Sequence, residues 1–339
     1  MTDTYGDTIG WGILGTGRIA RSFATDLREV PGARLAAIGS RTPGSAQAFA
    51  TAYGGDDCTP HASYEALVAD PAVDVVYVAT PHTRHLEDSR LAFEAGKHVL
   101  CEKPLAVNAA EADEMVRLAG EHDRFLMEGM WMACNPVVRA VLDQERFGRP
   151  RQVHADLGWV VETSPHDRLV DPALGGGALL DMGVYVLTLA HLVLGEAAEL
   201  RAVADVNEAG IDLDVAIAGR YADGATAALT ASMTSLSPRA ATIATDRGLL
   251  TLPSPFHHPG FATWTSREGT SEQITGVEPL IGTGLGNEAA EVMRCLREGL
   301  RESPLVPLAQ SQTVMRQMDD IRSQIGVRYD ADRSAEPTG

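Results

Sequence analysis

Trp11-Gly12-Ile13-Leu14-Gly15-Thr16-Gly17-Arg18-Ile19-Ala20 decides the fold of the first half of the chain. A short apolar strand over 11–14 runs into a G-x-G-x-x-A turn and then a helical stretch over 19–29. In such a turn Gly15 permits the tight bend, Gly17 lets the backbone approach a pyrophosphate, and Ala20 keeps helix and strand close. The helix N-terminus, reached through Thr16, Arg18 and Ile19, faces the negative charge. Outward from this stretch the alternation continues. Strands are expected at 34–38, 74–79, 98–101 and 125–128, with helices over 45–53, from Ser63, over 84–95 and over 109–121. The run Asp74-Val75-Val76-Tyr77-Val78-Ala79 is nearly all apolar, as expected of a parallel strand covered on both faces. This order predicts a doubly wound α/β sheet, a Rossmann domain over 1–129 that holds a dinucleotide.

After residue 130 the pattern changes. A helix near 136–144 leads into closely spaced strands at 152–161, 200–206, 214–221, 225–233, 241–245, 249–252 and 261–266. Two helices over 287–302 and 309–326 follow, and 330–339 reads as a polar, frayed tail. Residues 130–339 therefore read as an α+β domain with an open, largely antiparallel sheet, built for substrate binding and oligomerisation.

The chain has 28 basic and 46 acidic residues, a net charge of −18, which argues against nucleic acid or an anionic membrane as partner. Its polar start lacks the character of a signal peptide, and no uninterrupted apolar run reaches membrane length, so a cytoplasmic location is expected. Cys58, Cys101, Cys134 and Cys295 form no paired motif, and no metal site is expected.

The second strand ends in Gly39-Ser40-Arg41, with no carboxylate for a ribose 2′-hydroxyl. Ser40 and Arg41 suit a 2′-phosphate instead, so NADP(H) is preferred and NAD(H) is the alternative. Thr80-Pro81-His82 and Cys101-Glu102-Lys103-Pro104 close two strands at the carboxyl edge, where open α/β sheets bind ligands. Gly175-Gly176-Gly177-Ala178-Leu179-Leu180-Asp181-Met182-Gly183-Val184-Tyr185 reads as a glycine loop running into an apolar helix, with Asp181 and Tyr185 on one face.

Taken together, the glycine fingerprint that begins at Gly12, the Glu102-Lys103-Pro104 motif and the GGGALLDMGVY segment resemble the Gfo/Idh/MocA oxidoreductases. The closing segments, GNEAAEVMRCLREGLRESPLVPL and MRQMDDIRSQIGVRY, are most similar to the branch of dimeric dihydrodiol dehydrogenase and NADP-dependent D-xylose dehydrogenases. The resemblance implies hydride transfer between nicotinamide and a hydroxyl or keto carbon of a sugar, anhydrosugar, polyol or cyclic diol. It gives proton transfer to Lys103, Asp181 and Tyr185, and places His82 and His85 along the nicotinamide pocket. Tyrosine ionises near 10, and a lysine ammonium beside it favours the phenolate, so Tyr185 is expected as the proton-transfer group with Lys103 its electrostatic partner, and a relay centred on Lys103 is the alternative.

Trp131, Asn135 and His191 are either pocket wall or core. Relatives often carry Arg and an aromatic before the proline at 136; Met130-Trp131-Met132-Ala133-Cys134-Asn135 stands there here, and Arg168 is expected to supply a substrate contact instead. Two rival functions are a redox-neutral, NAD-using glycosidase of the same superfamily and a non-catalytic NADPH sensor. An open sheet face calls for a homodimer or homotetramer.

Overall fold

The computed structural model describes residues 8–55, 57–161 and 168–333. The first sheet holds β1 (Ile9–Leu14), β2 (Ala33–Gly39), β3 (Thr59–His61), β4 (Val75–Val78), β5 (His98–Glu102) and β6 (Leu126–Gly129). The second holds β7 (Pro150–Gly158), β8 (Glu199–Val206), β9 (Asp212–Arg220), β10 (Thr226–Ser232), β11 (Ala241–Thr245), β12 (Gly248–Leu252), β13 (Ala262–Ser266) and β14 (Ser271–Ile274). The helices, in chain order, are α1 (Arg18–Leu27), α2 (Pro43–Phe49), α3 (Tyr64–Val68), α4 (His85–Glu94), α5 (Ala109–Glu121) and α6 (Trp131–Cys134). They continue with α7 (Pro136–Val141), α8 (Gln144–Phe147), α9 (Val184–Leu194), α10 (Leu285–Arg297), α11 (Leu308–Ile325) and α12 (Asp330–Arg333).

The chain divides into two compact units. The first comprises residues up to Ala106, then 110–134 and 280–311; the second comprises 107–109, 135–279 and the residues from 312 on.

In the first unit the strand order is β3-β2-β1-β4-β5-β6, all parallel. β1 and β4 are buried along their whole length, which is why their sequences show no polar alternation. Phe23 on the inner stripe of α1 stacks on Tyr77 at 3.9 Å and tilts against Trp11 at 5.3 Å. The return of residues 280–311 to this unit differs from a division at 129/130. The cause is a cap: Asp26 of α1 accepts hydrogen bonds from Thr283 N, Thr283 Oγ1 and Leu285 N at 2.7, 2.9 and 3.2 Å. One buried carboxylate thereby satisfies the open N–H groups at the start of α10.

In the second unit the sheet runs β14-β13-β12-β11-β7-β10-β9-β8, antiparallel except for the β7–β10 pair. β9 and β10 alternate cleanly. Val215, Ile217, Ala227 and Leu229 point into the core, while Ala216, Ala218, Ala228 and Thr230 face outward. Helix α9 is apolar on all sides and lies under this sheet. The stretch Pro172–Leu194 is long and apolar enough to cross a membrane, but it is mostly buried as the core of this unit. The end of the chain corrects the expected tail: 330–333 form α12, and Tyr329 before it is buried.

Candidate active site

The glycine turn is built as its sequence requires. Gly15 has φ 103°, and a Cβ there would sit 2.7 Å from the Ala79 carbonyl oxygen, so no other residue fits. At Gly17 a Cβ would meet nothing within 4 Å, which leaves open space above the turn. Gly17 is also the N-cap of α1, no side chain caps that helix, and no acidic residue stands in its first turn. Thr16 is half-buried, while Gly17 and Arg18 are exposed. Open N–H groups, a positive helix end and missing side-chain bulk together fit a dinucleotide pyrophosphate.

At the end of β2, Ser40 is buried and its Oγ accepts from Thr42 N at 3.2 Å. Arg41 is exposed, with its guanidinium close enough to the Tyr64 hydroxyl to hydrogen-bond it. No carboxylate occupies positions 39–42.

The carboxyl ends of β4 and β5 are tied to each other. His85 is fully buried, and its Nδ1 lies 3.0 Å from the Pro104 carbonyl while Nε2 lies 3.1 Å from the Thr80 carbonyl. Its ring thus clamps the turn that carries Thr80-Pro81 to the turn that carries Lys103. His82, also buried, sits edge-on to it at 5.6 Å. Thr80 Oγ1 donates to Asp88 Oδ2 at 2.7 Å, and Asp88 takes Arg84 at 2.7 Å.

Glu102 accepts from the Tyr77 hydroxyl and, at 3.1 Å, from Lys103 N; its carboxylate shapes the turn. Lys103 itself is half-buried and joined to Pro104 by a cis peptide. Glu128, wholly inside, holds the next stretch by accepting from Leu105 N at 3.0 Å and from Ser311 Oγ at 2.6 Å. Burial pushes its carboxyl above the usual range. Trp131 is half-buried, and a Cβ on Gly284 would touch its ring at 3.2 Å.

In the second unit Asp181 and Tyr185 are both buried. Residues Leu179–Gly183 form a π turn that passes directly into α9, a widened geometry common at functional sites. Arg168 reaches Asp181 Oδ1 with both terminal nitrogens, at 3.3 and 3.2 Å. Its place is beside the carboxylate, a partner its sequence position did not announce.

Tyr185 packs against His257 with ring centroids 4.8 Å apart, and His257 meets His258 edge-on at 4.7 Å. Burial lowers the His258 imidazole below the usual histidine range. This histidine pair was missed in the sequence. Only the doublet after Phe256 could have signalled it, and no spacing rule connects residue 257 with residue 185.

Asn135 is structural: Oδ1 caps α7 by accepting from Val137 N and Val138 N at 2.9 and 3.1 Å. His191 lies on the last turn of α9, and burial lowers its imidazole. No group of three or more metal-ligating side chains occurs among the described residues.

A parallel sheet in this order, with an uncapped glycine turn after its first strand, defines a dinucleotide-binding Rossmann domain. Comparison with known proteins gives the family. Residues 9–130 match the oxidoreductase family model with an NAD-binding Rossmann fold, and 137–251 match the GFO/IDH/MocA C-terminal domain. The chain belongs to the Gfo/Idh/MocA oxidoreductase family.

It is 34% identical over 329 residues to trans-1,2-dihydrobenzene-1,2-diol dehydrogenase of Xenopus laevis, covering 94% of this chain and 98% of that one. The Sus scrofa enzyme of the same name is 35% identical over 334 residues, covering 95% and 98%. Among solved structures, a 3-ketoreductase from Actinomadura kijaniata with NADP and TDP-benzene superposes with TM-score 0.82 at 26% identity, covering 95% and 99%. An aldose-aldose oxidoreductase from Caulobacter crescentus shares the fold with TM-score 0.84 at 23% identity, covering 94% and 97%.

Proposed function

We propose that this oxidoreductase is an NADP-preferring dehydrogenase or reductase acting on a CH–OH or keto carbon of a sugar, anhydrosugar, polyol or cyclic diol. The observation that carries the cofactor preference is the end of β2, where Ser40 and an exposed Arg41 stand and no carboxylate does. The substrate class rests on the names of the relatives: diol dehydrogenases at 34–35% identity over nearly the whole chain.

The bound nicotinamide supplies or takes the hydride. The chain's own residues bind, orient and move the proton. Gly15, Gly17 and the start of α1 take the pyrophosphate, while Ser40 and Arg41 take the 2′-phosphate. Tyr185 exchanges the proton of the reacting hydroxyl, and Lys103 supplies the positive charge that favours its phenolate. Asp181, held by Arg168, accepts from a neighbouring substrate hydroxyl.

Two further features support the surrounding reading. The outward face of β9 and β10, lined by Ala216, Ala218, Ala228 and Thr230, suits the flat interface of a homodimer. All four cysteines are buried, which suits a reducing cytoplasm.

The test is reduced-nicotinamide absorbance with NADP or NAD and a panel of pyranoses, anhydrosugars, inositols and cyclic diols. NADP-dependent turnover is expected, and Tyr185→Phe is expected to lower kcat by about 10²–10⁴-fold while still binding NADPH. Glycoside cleavage without net change in a retained cofactor would replace this reading with the redox-neutral one. NADPH binding without turnover of any panel member would replace it with a sensor.

A further inference from the structure

Tyr329 lies near the end of the chain, yet it is 2% exposed and its hydroxyl donates to the Gly176 carbonyl at 2.6 Å. It is fixed from several sides. Its N–H donates to Asp332 Oδ2 at 2.8 Å, and the Arg322 guanidinium lies over its ring, 4.9 Å from the centroid. Arg322 is itself buried, paired with Asp332 at 2.6 Å and Asp319 at 2.5 Å, and Asn108 Nδ2 donates to Asp332 Oδ1 at 3.0 Å.

From the start of β9, the fully buried Asp212 accepts the Leu179 N–H at 2.6 Å and a backbone hydrogen bond from Ala178. Gly177 is held between the two side chains. A Cβ there would stand 2.4 Å from Asp212 Oδ1 and 3.1 Å from the Tyr329 hydroxyl, at φ 131°. Residues 176–179 are the entry to the π turn of Asp181 and to Tyr185 one turn later. N–H groups at a helix start have no acceptor within the helix, so an acceptor from elsewhere decides where that start sits.

We propose that Tyr329 and Asp212 are positioning residues for the proton-transfer helix: they fix the glycine loop from both sides and so set the places of Asp181 and Tyr185. The inference rests on the assignment of those two residues made above. Neither positioning residue needs to touch a substrate. A reacting group displaced by about 1 Å loses on the order of 10²-fold in rate, so two hydrogen bonds at the helix start act directly on turnover.

Burial raises the Asp212 carboxyl to about 6, against the pull of the Leu179 and Ala178 N–H groups and of Arg322. The charged and titratable groups on the elements about it are Arg322 and Asp319 on α11, Tyr329, Asp332 of α12, and Asp181 with Arg168 beyond the glycine loop. Because its value is raised, Asp212 is charged only above that point. Its hold on the helix start is therefore half-lost near pH 6, full well above it, and weakens as pH falls through it.

The test measures amide exchange across residues 178–185 together with steady-state kinetics, in the full-length protein. Tyr329→Phe keeps the ring and removes one hydrogen bond. It is expected to speed exchange there and lower kcat by about tenfold, the scale of one withdrawn buried hydrogen bond, with KM for the dinucleotide unchanged. Asp212→Asn keeps the shape and is expected to erase an acid limb near pH 6 from the kcat profile. Wild-type exchange and kcat in Tyr329→Phe, or an intact acid limb in Asp212→Asn, would overturn the proposal. If Tyr329→Phe does not fold, the Asp212→Asn profile decides alone. If the wild-type chain turns over no alcohol or ketone, the functional reading fails, and the exchange rates still decide whether the two side chains fix the helix start.

Discussion

Glu288 on α10 is fully buried, and neither of its carboxylate oxygens has a hydrogen-bond partner among the described residues. Burial raises its carboxyl far above the usual range, and the carboxylates of Glu102 and Asp26 push it further the same way. The native chain therefore holds this proton to higher pH than the unfolded chain, which releases it near 4.3. Below 4.3 both states bind the proton and stability is unaffected. Above it only the native state does, so unfolding releases a proton and becomes easier by about 1.4 kcal/mol per pH unit.

Glu288→Gln copies the protonated shape without the titration. Relative to wild type it is expected to gain stability as pH rises from 5 to 7, at up to about 1.4 kcal/mol per pH unit. Guanidinium unfolding of both proteins at pH 5, 6 and 7 measures this, since all other titrating groups cancel in the difference. A difference that stays level across the range would show Glu288 charged in the native state, and would refute the argument from burial.

Three further substitutions read other parts of the site. Arg41→Ala is expected to weaken NADPH binding by about tenfold or more, with NADH little changed, in a fluorescence titration; equal losses would remove Arg41 from the 2′-phosphate. Arg168→Ala strips Asp181 of its guanidinium, and because Arg168 is half-exposed the fold is expected to lose at most about 1 kcal/mol while kcat falls severalfold. Unchanged kinetics would make that ion pair incidental. Gly177→Ala forces a methyl toward Asp212 Oδ1 at a positive φ, and is expected to destabilise by about 2–3 kcal/mol in chemical denaturation.

The Rossmann strands were legible because each is an apolar run long enough to be buried on both faces, as Val75–Val78 is. The short edge strands Thr59–His61 and Ser271–Ile274 were not, because neither carries a run of buried apolar residues and each reads as loop. Gly15 was legible because turn geometry limits what can stand there, and Gly17 by its place in the G-x-G-x-x-A pattern. Asp181 and Tyr185 stood out by their spacing, but the partners that hold them did not. Arg168, His257, Asp212 and Tyr329 come from distant stretches, and local pattern carries no record of which side chains tertiary packing brings together. The amphipathic pattern of α10 likewise says that one face is buried without saying in which of the two cores.

That last point bears on how the chain is made. The dinucleotide-binding unit needs α10, whose N-terminus is capped by Asp26, and α10 begins at Leu285. Between Cys134 and Leu280 the ribosome must first supply the intervening 145 residues, 135–279, most of the second unit. At about 5–20 residues per second that is a wait of roughly 7–30 s. Through that interval Asp26 and the side of α1 that meets α10 lack their partner. The unit that is first in sequence is thus completed only after most of the second has been made.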